Sequence, residues 1–405
     1  MKKLFLFLLV LGLIFTGVAG CAQQTPAAET PAAEVPTSPA EPADTPAAPA
    51  ETAEAAPEAA VMKHVDLEAL HGLYPADSVY AVIGEREITW GEYYEWLGTY
   101  VLSGENYMET MVSYGMNAGW DSEYAAGVTF ADYVTANLED NLRAFAGIDA
   151  FAAEKGVTVS EEDLAAKKAE DMSAMLGAEA TEEDWAALLV SNFMTENVYR
   201  AQAKANLQLR GVMDACYGQN GEKLSTAALQ HYIEDKGYLR CNHILLLTMD
   251  MESREALDAE TIAAKKSQAE EIAAELQAIE NREELLARFA ELKEELDEDS
   301  GKVYYPDGYI FTPGSMVAAF EETTQALTDY EVSAPVLSEY GYHVIIRLPI
   351  DADTTLDDGS KIGAAAASEI MAADLDEVVD ALEFTYAPGA EPVNLLDFVV
   401  EEADK

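Results

Sequence analysis

The chain has 405 residues, with 24 Lys and Arg against 75 Asp and Glu, a formal net charge of −51. So few cations exclude a nucleic-acid-binding protein, which needs a basic footprint. They favour a solvated acidic surface that repels anionic headgroups and would draw cationic segments of unfolded partners. Three cysteines and five histidines form no disulfide framework or metal-ligating cluster, and no phosphate-cradling glycine loop occurs, so no metal and no cofactor is expected.

In chain order, Met1-Lys2-Lys3 is a positive start and Leu4 to Gly17 an apolar run, too short for a comfortable membrane span. Val18-Ala19-Gly20-Cys21 follows and resembles the lipobox of bacterial lipoproteins. That resemblance implies a signal peptide over residues 1–20, cleavage before Cys21, and a diacylglyceryl group on the Cys21 thiol. The folded part would then be extracytoplasmic and lipid-anchored to the bacterial cell membrane; the alternative is an uncleaved anchor helix. Residues 21–61 hold the lipidated Cys21 and a linker. Eight of the fifteen prolines fall in it, among Ala, Thr and Glu, a composition with nothing to build a core. Forty such residues reach about 120 Å if wholly polyproline-like.

Residues 62–236 are long enough for a core of their own and are expected to be mainly helical. Val79 to Thr89 reads as two short strands turning at Gly84-Glu85, and a helix begins at Trp90. Ser160 to Asp163 and Thr181 to Asp184 carry a hydroxyl with an acid three residues on, the signature of a helix start. Ser225 starts a further helix that Gly237 closes. The Tyr- and Met-rich stretch from Tyr107 to Tyr124 reads as packing within the bundle; promiscuous contact with unfolded chains is the alternative.

From Arg240 the features follow a specific order. R-C-N-H-I-L-L-L places His243 in a strand-like apolar run, and S-E-Y-G-Y-H-V-I-I-R-L places His343 in another. A charged imidazole is costly there, so each should be neutral and hydrogen-bonded, and the two suggest a pair. Two amphipathic helices lie between them (Ile262 to Leu276, Leu285 to Leu296), then the polar D-E-D-S-G, the strand G-Y-I-F, and a helix from Met316 to Leu327 with Met316 and Phe320 four apart on one face. A bridge between Cys216 and Cys241 has no spacing rule behind it. Cys241, two residues before His243, shares its strand face and reads as a small buried thiol.

This string resembles the parvulin family of peptidyl-prolyl cis/trans isomerases over residues 237–350. His243 to Leu246 match its first strand, Phe311, Gly314, Met316, Phe320 and Glu321 its F-x-x-G-x-M-x-x-x-F-E, and Gly341 to Ile345 its terminal G-Y-H-I-I. The resemblance puts the family's polar position on Asp299 and implies a site of His243, Asp299, Ser338 and His343, with Phe311, Met316 and Phe320 as the proline slot. The family's G-G-D-L-G reads Tyr305-Pro306-Asp307-Gly308-Tyr309, a departure at the pocket rim. The acidic segment after the first strand, with Arg254 its one cation, does not suit a phosphorylated residue before proline.

The expected fold class is therefore α+β: a helical chaperone-like domain plus a parvulin domain, the latter a small mostly antiparallel sheet flanked by helices. A short strand pair, a helical bundle and a parvulin unit in sequence resemble extracytoplasmic foldases of the PrsA and SurA types. Residues 351–405, with a helix over Lys361 to Leu382 and the apolar N-L-L-D-F-V-V, are expected to pack back on the N-terminal domain. The implied function is isomerase and foldase action on unfolded or partly folded exported proteins with X-Pro bonds. The alternatives are a non-catalytic chaperone (holdase) with a degenerate parvulin domain, and a solute-binding lipoprotein, which the long helical run disfavours.

Overall fold

A computed structural model describes residues 63–401; the signal peptide, Cys21 and the linker expected for residues 1–61 lie outside the described residues. The chain forms two compact units, one of residues up to 209 together with residues from 375, the other of residues 210–374. The boundary expected at residue 236 falls within the second unit.

The first unit opens with β1 (Lys63–Val65) and α1 (Leu67–His71). β2 (Val79–Ile83) and β3 (Arg86–Thr89) form the antiparallel hairpin that turns at Gly84-Glu85. α2 (Trp90–Ser113) starts where Thr89 accepts the Glu92 N–H at 3.2 Å. It buries a face of Trp90, Tyr93, Trp96, Leu97, Val101 and Met108 at helical spacing. β4 (Glu123–Ala125) and β5 (Val128–Thr129) make a second small hairpin, and α3 (Phe130–Glu154) follows behind a Thr129–Asp132 capping box. α4 (Glu161–Leu176) and α5 (Glu182–Ser191) begin at Ser160 and Thr181, both with complete capping boxes to Asp163 and Asp184. α6 (Glu196–Val212) ends the helical run. In the Tyr107–Tyr124 stretch, Met108 and Trp120 are buried, whereas Tyr107, Tyr114, Met116 and Tyr124 are exposed.

The second unit takes in the end of α6 and the π-helical turn Met213–Tyr217, and then α7 (Thr226–Lys236), capped by Ser225 and closed at Gly237. β6 (Leu239–Leu247), α8 (Ala259–Gln277) and α9 (Arg282–Leu296) follow, then β7 (Tyr309–Phe311), α10 (Ala318–Ala326), β8 (Val336–Leu337), β9 (Gly341–Arg347) and α11 (Ile362–Ala381). The sheet order is β7-β6-β9-β8, every pair antiparallel. Alternation along a strand sends successive side chains to opposite faces. Ile244, Leu246, Val344 and Ile346 point one way, into a core with Ala269, Ile272, Leu276, Leu285, Phe289 and Leu292 of α8 and α9. Leu239, Cys241 and Ile345 point the other way, to Phe311 and Phe320. Each fully buried Leu, Ile or Phe contributes about 1.5–3 kcal/mol, so α8 and α9 hold the sheet rigid from behind. α10 starts at Ala318, two residues later than expected. The Pro313-Gly314-Ser315 turn precedes it, and the Gly314 N–H donates to Glu321 at 2.8 Å. Met316 therefore sits in the approach to the helix rather than on it, yet packs against the same cluster as Phe320.

The chain then contributes β10 (Phe384–Tyr386) and β11 (Val399–Glu401) to the first unit. β10 pairs with β2 to give the order β10-β2-β3, and β11 pairs with β1. The whole is an α+β fold of helices with small antiparallel sheets.

Candidate active site

The register of the second unit's sheet decides what meets there. His243 lies opposite Ile345, and Leu245 opposite His343. The two histidines are thus diagonal neighbours on the same face as Cys241 and Ile345. Their ring centroids are 5.2 Å apart. Phe320, from α10, presents an edge to both, at 5.1 Å from His243 and 5.3 Å from His343. Phe311, on the edge strand β7, lies 6.0 Å from Phe320, and the partly buried Met316 completes this apolar corner.

Both histidines are buried. Burial holds the His243 imidazole well below its ordinary value, with His343 adding to the effect and Asp299 opposing it. Burial likewise takes His343 down to about 4, again against Asp299. Both rings are therefore neutral through the physiological range. Ser338 stands 2.7 Å from His343 Nε2, and its Oγ also accepts the Tyr340 N–H at 3.1 Å. Neither His243 nitrogen, nor His343 Nδ1, is hydrogen-bonded among the described residues. The expectation of a hydrogen-bonded partner thus holds for His343 and not for His243.

Asp299 precedes the 3₁₀ turn Ser300–Val303 and accepts the Gly301 N–H at 2.9 Å. Its other oxygen accepts the Tyr309 hydroxyl at 2.6 Å and lies 3.4 Å from His243 Nε2, too long for a good hydrogen bond. Burial pushes this carboxyl up, but the Tyr309 and Gly301 donors, with His243 and Lys293, outweigh it and leave it below its usual value. Tyr309 stacks on His243 at 5.5 Å and 22°, with Tyr305 4.7 Å beyond it. Burial and Asp299 raise the Tyr309 phenol, so it stays a donor. Gly308 makes this placement possible: its φ is +91°, and a Cβ there would fall 2.2 Å from the Cys241 carbonyl.

Three further polar groups sit beside the site. Asp297 caps the Leu245 and Asp299 N–H groups at 2.8 and 3.1 Å, and burial raises its carboxyl. Lys293 donates to Asn242 at 2.7 Å, and burial lowers its ammonium. Neither was expected from the sequence. Their signals, a lysine on the buried side of an amphipathic helix and a second aspartate in D-E-D-S-G, also occur in ordinary surface segments. Tyr309 was visible only as a rim substitution, since its hydroxyl finds its partner ten residues earlier through the loop fold. Cys241 is buried and unpaired, and burial pushes its thiol up to about 12, so it is an inert core group.

In the first unit a cleft of about 590 Å³ lies against Trp96 and Leu164. Its polar lining is engaged in ion pairs, Glu92 with Arg86, Glu161 with Arg200 and Lys204 with Asp149. No cluster of His, Cys, Asp and Glu able to hold a metal occurs among the described residues.

Residues 243–348 match the sequence model of the PPIC-type PPIase (rotamase) domain. Foldase protein PrsA 2 of Listeria innocua is 26% identical over 209 residues, half of this chain and 59% of that protein, so the chain spans about three fifths of this relative's length. A crystal structure of PrsA from Bacillus subtilis overlaps 76% of this chain and 91% of that one at 18% identity and a TM-score of 0.23. The solution structure of NmPin, the parvulin of Nitrosopumilus maritimus, overlaps 28% of this chain and 97% of that one at 31% identity and a TM-score of 0.19.

Proposed function

We propose, from the parvulin-type domain that this chain carries, that the protein is a peptidyl-prolyl cis/trans isomerase and foldase that acts on unfolded exported proteins at the outer face of a membrane. The observation that carries this reading is the pair of neutral, diagonal imidazoles on one sheet face, walled by Phe320 and flanked by an ionised Asp299.

Rotation about an X-Pro bond must overcome amide resonance, a barrier of roughly 18–20 kcal/mol. No covalent bond changes, so the site needs placement rather than a nucleophile. Phe311, Met316 and Phe320 offer the proline ring an apolar corner. A dry surrounding disfavours the more polar planar amide relative to the twisted one. The histidines, Ser338 and Asp299 supply fixed polar groups around it. His243 and His343 act as a neutral scaffold here, not as acid and base, because protonating either while buried is unfavourable. The segment after β6 carries Asp250, Glu252, Glu255 and Asp258 against Arg254 alone, so the substrate is an unphosphorylated X-Pro segment.

The helical first unit would hold clients, and Cys21 would carry a lipid anchor; among the described residues no helix is long and apolar enough to cross a membrane. The test is an isomerisation assay on a panel of X-Pro peptides with the chain from residue 62 onward. Met316→Ala and Phe320→Ala should lower kcat/KM by about tenfold or more, in line with the loss of an apolar pocket contact of 1–3 kcal/mol. A well-folded wild-type protein that accelerates none of the peptides would leave the non-catalytic holdase as the reading.

A further inference from the structure

Tyr309 stands where the family's G-G-D-L-G pattern has glycine, and four observations show it built into the site rather than placed at its rim. Its hydroxyl reaches the Asp299 oxygen that faces His243 Nε2. Its ring lies nearly parallel to the His243 ring. Gly301 makes room for the hydroxyl, since a Cβ at that position would fall 2.1 Å from Tyr309 Oη. Tyr305 packs 4.7 Å from the Tyr309 ring, which limits its swing.

We propose that Tyr309 is a positioning residue of this site: one side chain takes up the Asp299 oxygen nearest His243 and covers a face of the His243 ring. The proposal rests on the isomerase reading for its meaning in catalysis, but the contact itself can be tested without activity. A carboxylate oxygen engaged by a phenol at 2.6 Å is a poorer acceptor for a second donor. His243 Nε2 is thereby kept out of an ion pair with Asp299, and the buried ring stays part of the neutral histidine scaffold. Without the phenol, Asp299 loses its strongest donor and His243 gains a competing acceptor. The other charged or titratable groups around Asp299 are His343 on β9, Lys293 on α9, and Asp297 and Lys302 in the loop. None of them donates a hydrogen bond to its carboxylate among the described residues.

The experiment uses the full chain, as wild type, Tyr309→Phe, Asp299→Asn and the double variant. NMR of carboxyl carbons and imidazoles is followed from pH 8 to pH 4.5, with Asp299 assigned by its loss in Asp299→Asn. In the wild type neither Asp299 nor His243 should titrate in this window. In Tyr309→Phe one of them should move into it, by about one unit or more, as expected when a hydrogen bond to the charged form is lost. The kcat/KM profile should then change from flat to one with an acid limb, and the limb should vanish in the double variant. Tyr309→Phe titrating as the wild type does, with a parallel rate profile, would overturn the proposal. A wild-type chain with no isomerase activity would defeat the functional reading, while the NMR titration would still decide the Tyr309–Asp299 contact.

Discussion

At the residue scale, burial holds both imidazoles of the site below their ordinary values and so keeps them neutral. His343 is the clearest case, because its folded-state value of about 4 lies below the ordinary 6.5. An unfolded chain therefore binds a proton at His343 where the folded chain does not. The contribution to stability is complete above about pH 6.5 and is lost as pH falls toward 4. His243 acts in the same direction. For His343 the loss between pH 7.5 and pH 5 is roughly 2 kcal/mol, from 1.36 kcal/mol for each pH unit below the unfolded value. Denaturant midpoints at the two pH values should show this fall in the wild type and a shallower one in His343→Gln. Equal pH dependence in both proteins would refute the assignment. The two histidines were legible in the sequence because a rare, polar residue inside an apolar strand has few explanations. That His243 lacks a hydrogen-bond partner was not, since how near a carboxylate comes to Nε2 depends on where the loop holding Asp299 comes to rest.

At the scale of elements, local signals located several helix starts. Ser160, Thr181 and Ser225 each start a helix at the next residue, because a side-chain oxygen that accepts from a first-turn N–H needs only three residues of sequence. The helix expected from Met316 begins at Ala318 instead, since periodicity continues through a turn that backbone geometry interrupts. The strand β10 is held by something no local pattern records. Glu139 on α3 accepts the Tyr386 hydroxyl at 2.6 Å and the Tyr80 hydroxyl of β2 at 2.7 Å, tying both strands to one carboxylate. A hydrogen bond to a charged group is worth about 1.5–3 kcal/mol, so Tyr386→Phe should lower stability by about that amount. It should also speed amide exchange in β10 more than in β3. Unchanged exchange in β10 would mean that strand pairing and packing alone hold it.

At the scale of the whole molecule, the first unit is discontinuous. Residues after 375 supply β10 and β11, which pair with β2 and β1, while residues 210–374 form a unit from one continuous stretch. The proposed anchoring belongs to this scale too. The whole chain's net charge of −51 repels anionic lipid, so charge gives the protein no reason to stay at a membrane, and retention there would fall to the lipid proposed on Cys21. Cys21→Ala should therefore release the protein from the membrane fraction of a bacterial host. Retention of the variant would point to the apolar run before Cys21 as an uncleaved anchor.

The sequence by itself determined the class of fold, the starts of several helices, two histidines set in strand-like apolar runs, and a resemblance to the parvulin family over residues 237–350. These are carried by periodicity, caps and short motifs, which need only neighbours within a few residues. Tertiary structure alone decided that His243 and His343 are diagonal on one face, that Tyr309 takes the Asp299 oxygen, that Asp297 and Lys293 border the site, and that Glu139 ties two distant strands. Those contacts depend on strand register and loop course. Both are chosen by how whole elements pack, and no single segment contains that information.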